Sequence, residues 1–188
     1  MGRSLTLILG GARSGKSDYA QALVKRSGGK VLFVATATAS DEEMRARIAA
    51  HRAGRPAHWV TLEAPRRLSE ALRTAPPAES ILLDCMTLLV NNILIGFPEP
   101  VIEADYYSAV DEELDGLLDA ISKSQAKWVV VSNEVGLGLV PSYPLGRFFR
   151  DALGRVNQRL AKAADTVLFM VAGIPMLVKS EASKPGLY

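Results

Sequence analysis

Apolar residues along this chain fall into two rhythms. Ser4–Leu9, Val31–Ala35, Ser80–Leu83, Trp128–Val131 and Thr166–Val171 are short, nearly continuous apolar runs. Runs of that length predict strands covered on both faces. Between them, apolar positions recur every third or fourth residue, as in Tyr19, Ala20, Leu23 and Val24. That period predicts helices over Lys16–Arg26, Asp41–Ala53, Pro65–Arg73, Thr87–Leu94, Ala104–Ser122 and Leu145–Ala163. Trp59–Leu62 reads as a further short strand and Met176–Lys179 as a final edge strand, after a turn at Gly173-Ile174-Pro175. Ser40 with Glu43 reads as a capping box opening the second helix, and Ser27-Gly28-Gly29 stops the first. Strands alternating with amphipathic helices predict an α/β fold, a mostly parallel sheet with helices on both faces, in one domain over residues 1–188. Ligands in such folds gather at the carboxyl ends of the strands.

The first of those ends carries the strongest signal. Gly10-Gly11-Ala12-Arg13-Ser14-Gly15-Lys16-Ser17 fits G-x-x-x-x-G-K-[ST], with a strand before it and a helix after it. The glycines let the backbone turn tightly and aim its N–H groups inward, and the helix start completes a nest for phosphate oxygens. Lys16 is placed to reach the β- and γ-phosphates and Ser17 to reach Mg²⁺, so the expectation is a P-loop NTPase fold that binds a nucleoside triphosphate. Arg13 contacts either phosphate or solvent.

Two carboxylates follow at other strand ends. Asp84 closes the run Ile81-Leu82-Leu83, where it either holds Mg²⁺ or the substrate edge, or caps the helix before Thr87. Glu134, after the run Trp128–Val131, has three readings: a metal ligand, an orienter of an acceptor hydroxyl, or a shaper of the loop Ser132–Ser142. The acidic residues Asp105, Asp111, Glu112, Glu113 and Asp115 read as a solvated helix face. Arg147, Arg150, Arg155 and Arg159 share one helix, with Arg147 and Asp151 four apart; they line an anionic cleft or lie on the surface. His51, near a helix end with Arg52 and Arg55 beside it, is either a phosphorus nucleophile or a surface residue at the helix dipole.

Bulk properties narrow the classes. A formal charge of +2 over 188 residues argues against a nucleic-acid partner. The single cysteine, Cys85, allows no internal disulfide, and its apolar setting reads as core. No uncharged apolar stretch is long enough to span a bilayer, and a strand and loop stand where a signal peptide would be, so a cytoplasmic location is expected.

Seven segments together resemble the bifunctional adenosylcobinamide kinase / adenosylcobinamide-phosphate guanylyltransferase family of cobalamin biosynthesis. They are Gly10–Ser17, V-A-T-A at Val34–Ala37, H-R-A-G-R-P-A-H-W-V-T-L-E at His51–Glu63, L-D-C-M-T at Leu83–Thr87, S-N-E-V-G at Ser132–Gly136, R-D-A-L-G-R-V-N-Q at Arg150–Gln158 and A-G-I-P at Ala172–Pro175. The resemblance runs from about Leu5 to Lys179; the histidine segment and the Asn-Glu-Val-Gly segment make it specific. It implies phosphorylation of adenosylcobinamide by ATP or GTP, then transfer of GMP from GTP through a histidine to give adenosylcobinamide-GDP and pyrophosphate. The matching histidine is His51. Nucleotide contacts carried over by the resemblance fall on Gly10, Gly11, Ala12, Arg13, Ser14, Gly15, Lys16 and Ser17, on Ala35, Thr36 and Ala37, on Arg52, Ala53, Gly54 and Arg55, and on Glu63 and Asp84. It further implies a homo-oligomer, a trimer of RecA-like subunits, with adenosylcobinamide or its phosphate at a subunit boundary. Because pyrophosphate belongs on the loop, His51 must swing close to it, so a movable histidine helix is expected. A single-function small-molecule kinase would need Lys16 and Asp84 but leave His51 idle, and a nucleotide switch would bind without turnover.

Overall fold

A computed structural model describes residues 4–39 and 42–180. Seven strands form one sheet: β1 Ser4–Gly10, β2 Val31–Ala35, β3 Val60–Glu63, β4 Ser80–Asp84, β5 Lys127–Val131, β6 Thr166–Val171 and β7 Ile174–Lys179. Their order is β3-β2-β4-β5-β1-β6-β7. The first six run parallel and β7 returns antiparallel to β6. The helices are α1 Lys16–Ser27, α2 Glu42–Ala53, α3 Leu68–Arg73, α4 Met86–Leu94, α5 Glu103–Lys123 and α6 Pro144–Ala163.

Strand side chains alternate between faces, and both faces are covered, which is why the strands read as unbroken apolar runs. Leu32 and Val34 of β2 join Leu83, Trp128 and Val130 in the larger core under α3, α4, α5 and α6. Val31 and Phe33, their neighbours, point the other way and pack with Leu82, Val129 and Val131 against Ala20 and Val24 of α1 and against Trp59. Helix α2 differs from the rest: none of its described side chains is buried.

Element boundaries shift from expectation where tertiary groups take over a cap or a turn. The third helix starts at Leu68 rather than Pro65, because Arg67 adopts φ 51° and forms its N-cap. Glu113 of α5 accepts the Arg67 and Leu68 N–H groups at 3.0 and 2.5 Å, supplying the cap from outside the segment. The acidic face of α5 is therefore not simply solvated: Asp111 and Asp115 also pair with Arg159 of α6. Nor do the other arginines of α6 line a cleft. Arg147 donates to the carbonyls of Pro141 and Ser142, Arg155 lies 3.7 Å from the Tyr107 ring centre, and Asp151 pairs with Arg150 instead of Arg147. The β6–β7 turn is only Ala172-Gly173, both at positive φ, so Ile174 and Pro175 belong to β7. Proline is compatible with an edge strand. The capping box expected of Ser40 and Glu43, with the helix start at Asp41, lies outside the described residues.

Candidate active site

The loop between β1 and α1 is held in shape by its own backbone and by the β6–β7 turn. Gly10 has φ 152°, and a Cβ there would stand 2.6 Å from the Met170 carbonyl oxygen and 2.8 Å from Ser14 Oγ. Gly15, at φ 88°, is the N-cap of α1 and offers no side chain to the first-turn N–H groups. Those donors face the loop without a side-chain cap, as an anion cradle requires. Ser14 N–H bonds the Gly11 carbonyl at 3.3 Å, and Gly173 N–H bonds the Ser14 carbonyl at 3.0 Å. The Ala172–Pro175 segment thus buttresses the loop. Arg13 takes φ 56° at the exposed tip, next to exposed Ala12.

Lys16 is buried, and its Nζ donates to the Gly11 carbonyl at 2.6 Å. Burial pulls its ammonium below the usual lysine range, opposed by Cys85 and Asp84. The first residue of α1 thereby folds its cation back onto the loop.

Opposite stands Asp84, at the end of β4. The N-cap of α4 is Cys85, so Asp84 does not cap that helix. Burial pushes the Asp84 carboxyl up, while the nearby Ser17 hydroxyl, His51, Arg55 and Lys16 pull it down. Lys16, Arg55 and His51 thus all act on one half-buried acid. A hydroxyl and a carboxylate side by side, with phosphate oxygens and water, make a donor set of the kind Mg²⁺ takes. The fit rests on that pair, since the described residues hold no cluster of three acidic, His or Cys ligands. Cys85 is no nucleophile: burial and the charge of Asp84 push its thiol up to about 11.

Thr36 sets the end of β2 against that of β4. Its hydroxyl donates to the Cys85 carbonyl at 2.7 Å and accepts the Cys85 N–H at 2.8 Å, and its carbonyl accepts Asn92 Nδ2 at 2.8 Å. Half-buried Ala35 and Ala37 flank it.

The histidine segment closes the site from α2. His51 is half-buried in the last turn of α2. It is among the groups that pull the Asp84 carboxyl down, as Lys16 of the loop is. Arg52 pairs with Glu63 at the end of β3, tying the helix end to the sheet edge. Beyond Ala53 and Gly54, the Arg55 guanidinium lies 3.4 Å from the Phe33 ring centre. Its Nε and Nη1 are buried without a hydrogen-bond partner among the described residues. Burial pulls Arg55 below the usual arginine range, with Asp84 raising it and Arg52 lowering it further. Two buried, unbonded donors on one cation are the chemistry that recognises an oxyanion.

The family model for cobinamide kinase / cobinamide phosphate guanyltransferase matches residues 6–178. The chain belongs to this family. Relatives agree over nearly full length. The bifunctional adenosylcobalamin biosynthesis protein CobU of Salmonella typhimurium is 47% identical over 182 residues, covering 93% of this chain and 99% of that protein. Its Escherichia coli counterpart is 45% identical over 181 residues, covering 93% and 99%. The corresponding protein CobP of Pseudomonas aeruginosa is 44% identical over 176 residues, covering 93% and 97%. Among solved structures, the RadB recombinase is similar at a TM-score of 0.49 and 16% identity, covering 89% of this chain and 74% of that one. As a member of the cobinamide kinase family, the protein is a bifunctional kinase and guanylyltransferase of cobalamin biosynthesis, dependent on ATP or GTP. No described helix is long and apolar enough to cross a membrane.

Sequence reasoning missed the residues that act behind the site. Asn92, buried on apolar α4, ties Thr36 to the Pro65 carbonyl at 3.1 Å. Asn157 sits among Leu153, Val156 and Leu160 on the buried face of α6 and holds the Asn133 carbonyl at 2.9 Å. An asparagine on an apolar stripe is the signal that would have found both.

Proposed function

We propose that one triphosphate cradle, Gly10–Ser17, serves both reactions of the family, and that His51 carries the guanylyl group between them. The observation that supports this most is the convergence of Lys16, Arg55 and His51 on Asp84 beside the loop. A RecA-like P-loop NTPase fold fits the strand, loop and helix around that cradle.

In the kinase step, loop N–H groups and Lys16 bind the β- and γ-phosphates while the acceptor hydroxyl of adenosylcobinamide attacks the γ-phosphorus. Ser17 and Asp84 would hold Mg²⁺, which when bound neutralises charge developing on the phosphates. Lys16 then exchanges its bond to the Gly11 carbonyl for phosphate oxygens.

In the second reaction, the His51 imidazole attacks the α-phosphorus of GTP, the bond to the β-phosphate oxygen breaks, and pyrophosphate leaves. An oxygen of adenosylcobinamide phosphate then attacks the guanylyl phosphorus. The phosphorus–nitrogen bond breaks and adenosylcobinamide-GDP departs. A covalent intermediate divides one hard transfer into two easier ones. Arg55 and Arg52 neutralise the phosphate in transit. The described side chains of helix α2 are half-buried or exposed, which favours an approach of the helix to the cradle.

A homo-oligomer, with a trimer as the family's form, is supported by β7. Its Ile174, Met176, Leu177 and Val178 are all exposed on an edge strand. The corrinoid would sit at the resulting boundary.

His51→Ala separates the reactions. Transfer of GMP should vanish while ATP-dependent phosphorylation stays within about threefold of the parental rate. Equal collapse of both in a variant with unchanged melting temperature contradicts the division of roles.

A further inference from the structure

The segment after β5 is pinned far more firmly than a connecting loop needs. Val131 ends β5 between two functional strands, paired with Ile8 of β1 on one side and Asp84 of β4 on the other. Four successive bonds then hold the chain. Ser132 N–H donates to the Ile8 carbonyl at 3.0 Å, Asn133 N–H to Thr87 Oγ1 at 2.8 Å, and Asn157 Nδ2 to the Asn133 carbonyl at 2.9 Å. Finally Glu134 N–H donates to the carbonyl of Gly10, the first residue of the phosphate loop, at 3.0 Å.

The anchors come from β1, α4 and α6, and they stop at Glu134. Residues 136–140 are all exposed. The pinning carries a cost, because Ser132 Oγ and Asn157 Oδ1 are buried without a partner among the described residues. A segment that only connected β5 to α6 would do better with apolar groups there. What the anchors fix is one carboxylate, at the strand end between the phosphate cradle and Asp84.

That carboxylate is oriented and still available. Its Oε1 accepts the Gly136 N–H at 2.5 Å, which sets the side-chain direction, and the described residues place no cation on it. Lys16, Arg55 and His51 act on Asp84 instead. A half-buried acid without a cation partner is suited to accept a proton more than to balance a charge.

We propose that Glu134 is the general base of the kinase step. The acceptor hydroxyl of adenosylcobinamide gives its proton to Glu134 Oε2 as its oxygen bonds to the γ-phosphorus. The γ-phosphorus bond to the bridging oxygen breaks, and the nucleoside diphosphate leaves with that electron pair. The proton passes to solvent when the product departs. Guanylylation of His51 involves no acceptor hydroxyl, so Glu134 takes no part in it. This assignment rests on the shared-cradle reading above.

The test is Glu134→Gln in the full-length protein, which keeps the backbone bond to Gly10 and an oxygen for Gly136 but cannot accept the proton. Phosphorylation of adenosylcobinamide and labelling by GTP carrying α-³²P are measured separately. Expected are a fall in kcat of about 10²–10⁴-fold for phosphorylation, with labelling within about threefold of the parental protein. Phosphorylation within about threefold of parental overturns the proposal, as does an equal fall in both readouts at unchanged melting temperature. If the variant melts early, Glu134→Asp decides. A shortened base should outpace the Gln variant in phosphorylation by about tenfold or more, and equal rates overturn the proposal. A parental protein that phosphorylates but takes no label fails the His51 reading, while the phosphorylation comparison still decides Glu134.

Discussion

Replacing Arg55 by methionine should move stability and nucleotide affinity in opposite directions. Arg55 has Nε and Nη1 buried without a hydrogen-bond partner among the described residues. Each unmade bond costs about 1–3 kcal/mol, so the pair costs about 2–6 kcal/mol. The guanidinium recovers about 2 kcal/mol from the Phe33 ring, 3.4 Å away. Methionine keeps an apolar stem over the ring and removes both donors and the charge. The empty protein should therefore become more stable by about 0–4 kcal/mol. With a triphosphate bound, the same donors meet phosphate oxygens. Two hydrogen bonds to a charged group are worth about 3–6 kcal/mol, a loss of about 10²–10⁴-fold in affinity. Urea unfolding of the nucleotide-free protein gives the first quantity. Calorimetric titration with a non-hydrolysable GTP analogue gives the second. A variant that loses more than about 1 kcal/mol of stability and still binds the analogue within about threefold would refute the reasoning. The guanidinium would then be part of the structure and not a waiting phosphate ligand.

Asp84→Asn should show a pH-dependent gain in stability. Burial holds the Asp84 carboxyl above its ordinary range, so the unfolded chain ionises it more readily than the folded one. Its contribution is present below the unfolded pKa and is lost as pH rises through the folded pKa. The Asn variant should thus exceed the parental protein most at neutral pH, with the excess vanishing below about pH 4, read by urea unfolding across pH. Its kinase activity should fall at every pH for want of a metal carboxylate. Gly10→Ala, whose Cβ would meet the Met170 carbonyl oxygen at 2.6 Å, should cost about 1–3 kcal/mol and depress both reactions. Gly11→Ala, with nothing within 4 Å of its Cβ, should stay within about 0.5 kcal/mol of parental in the same unfolding assay.

Much of this molecule could be read locally. The order of strands and helices was legible because the inner strands are covered on both faces and the helices carry one apolar stripe. The strand–loop–helix setting of Gly10–Ser17 was legible because the motif is contiguous. The start of α3 was not, since its cap is Glu113, supplied by another helix 45 residues away from Leu68. The role of Asp84 could not be read either: metal site and helix cap are both consistent with an acid between strand and helix, and the Cys85 N-cap removes only the second. His51 was nameable through resemblance, but its influence on Asp84, 33 positions away in the chain, follows from no local pattern. The anchoring of Glu134 draws on β1, α4 and α6 at once, and no spacing in the sequence announces it.

The most direct test of the account is to mix the protein with GTP, omit the corrinoid, quench, and map any adduct by peptide mass spectrometry. A single guanylyl group on His51, stable to alkali, labile to acid and absent from His51→Asn, is the predicted result. An enzyme that makes adenosylcobinamide-GDP while His51 stays unmodified, or carries the group on another residue, would contradict it.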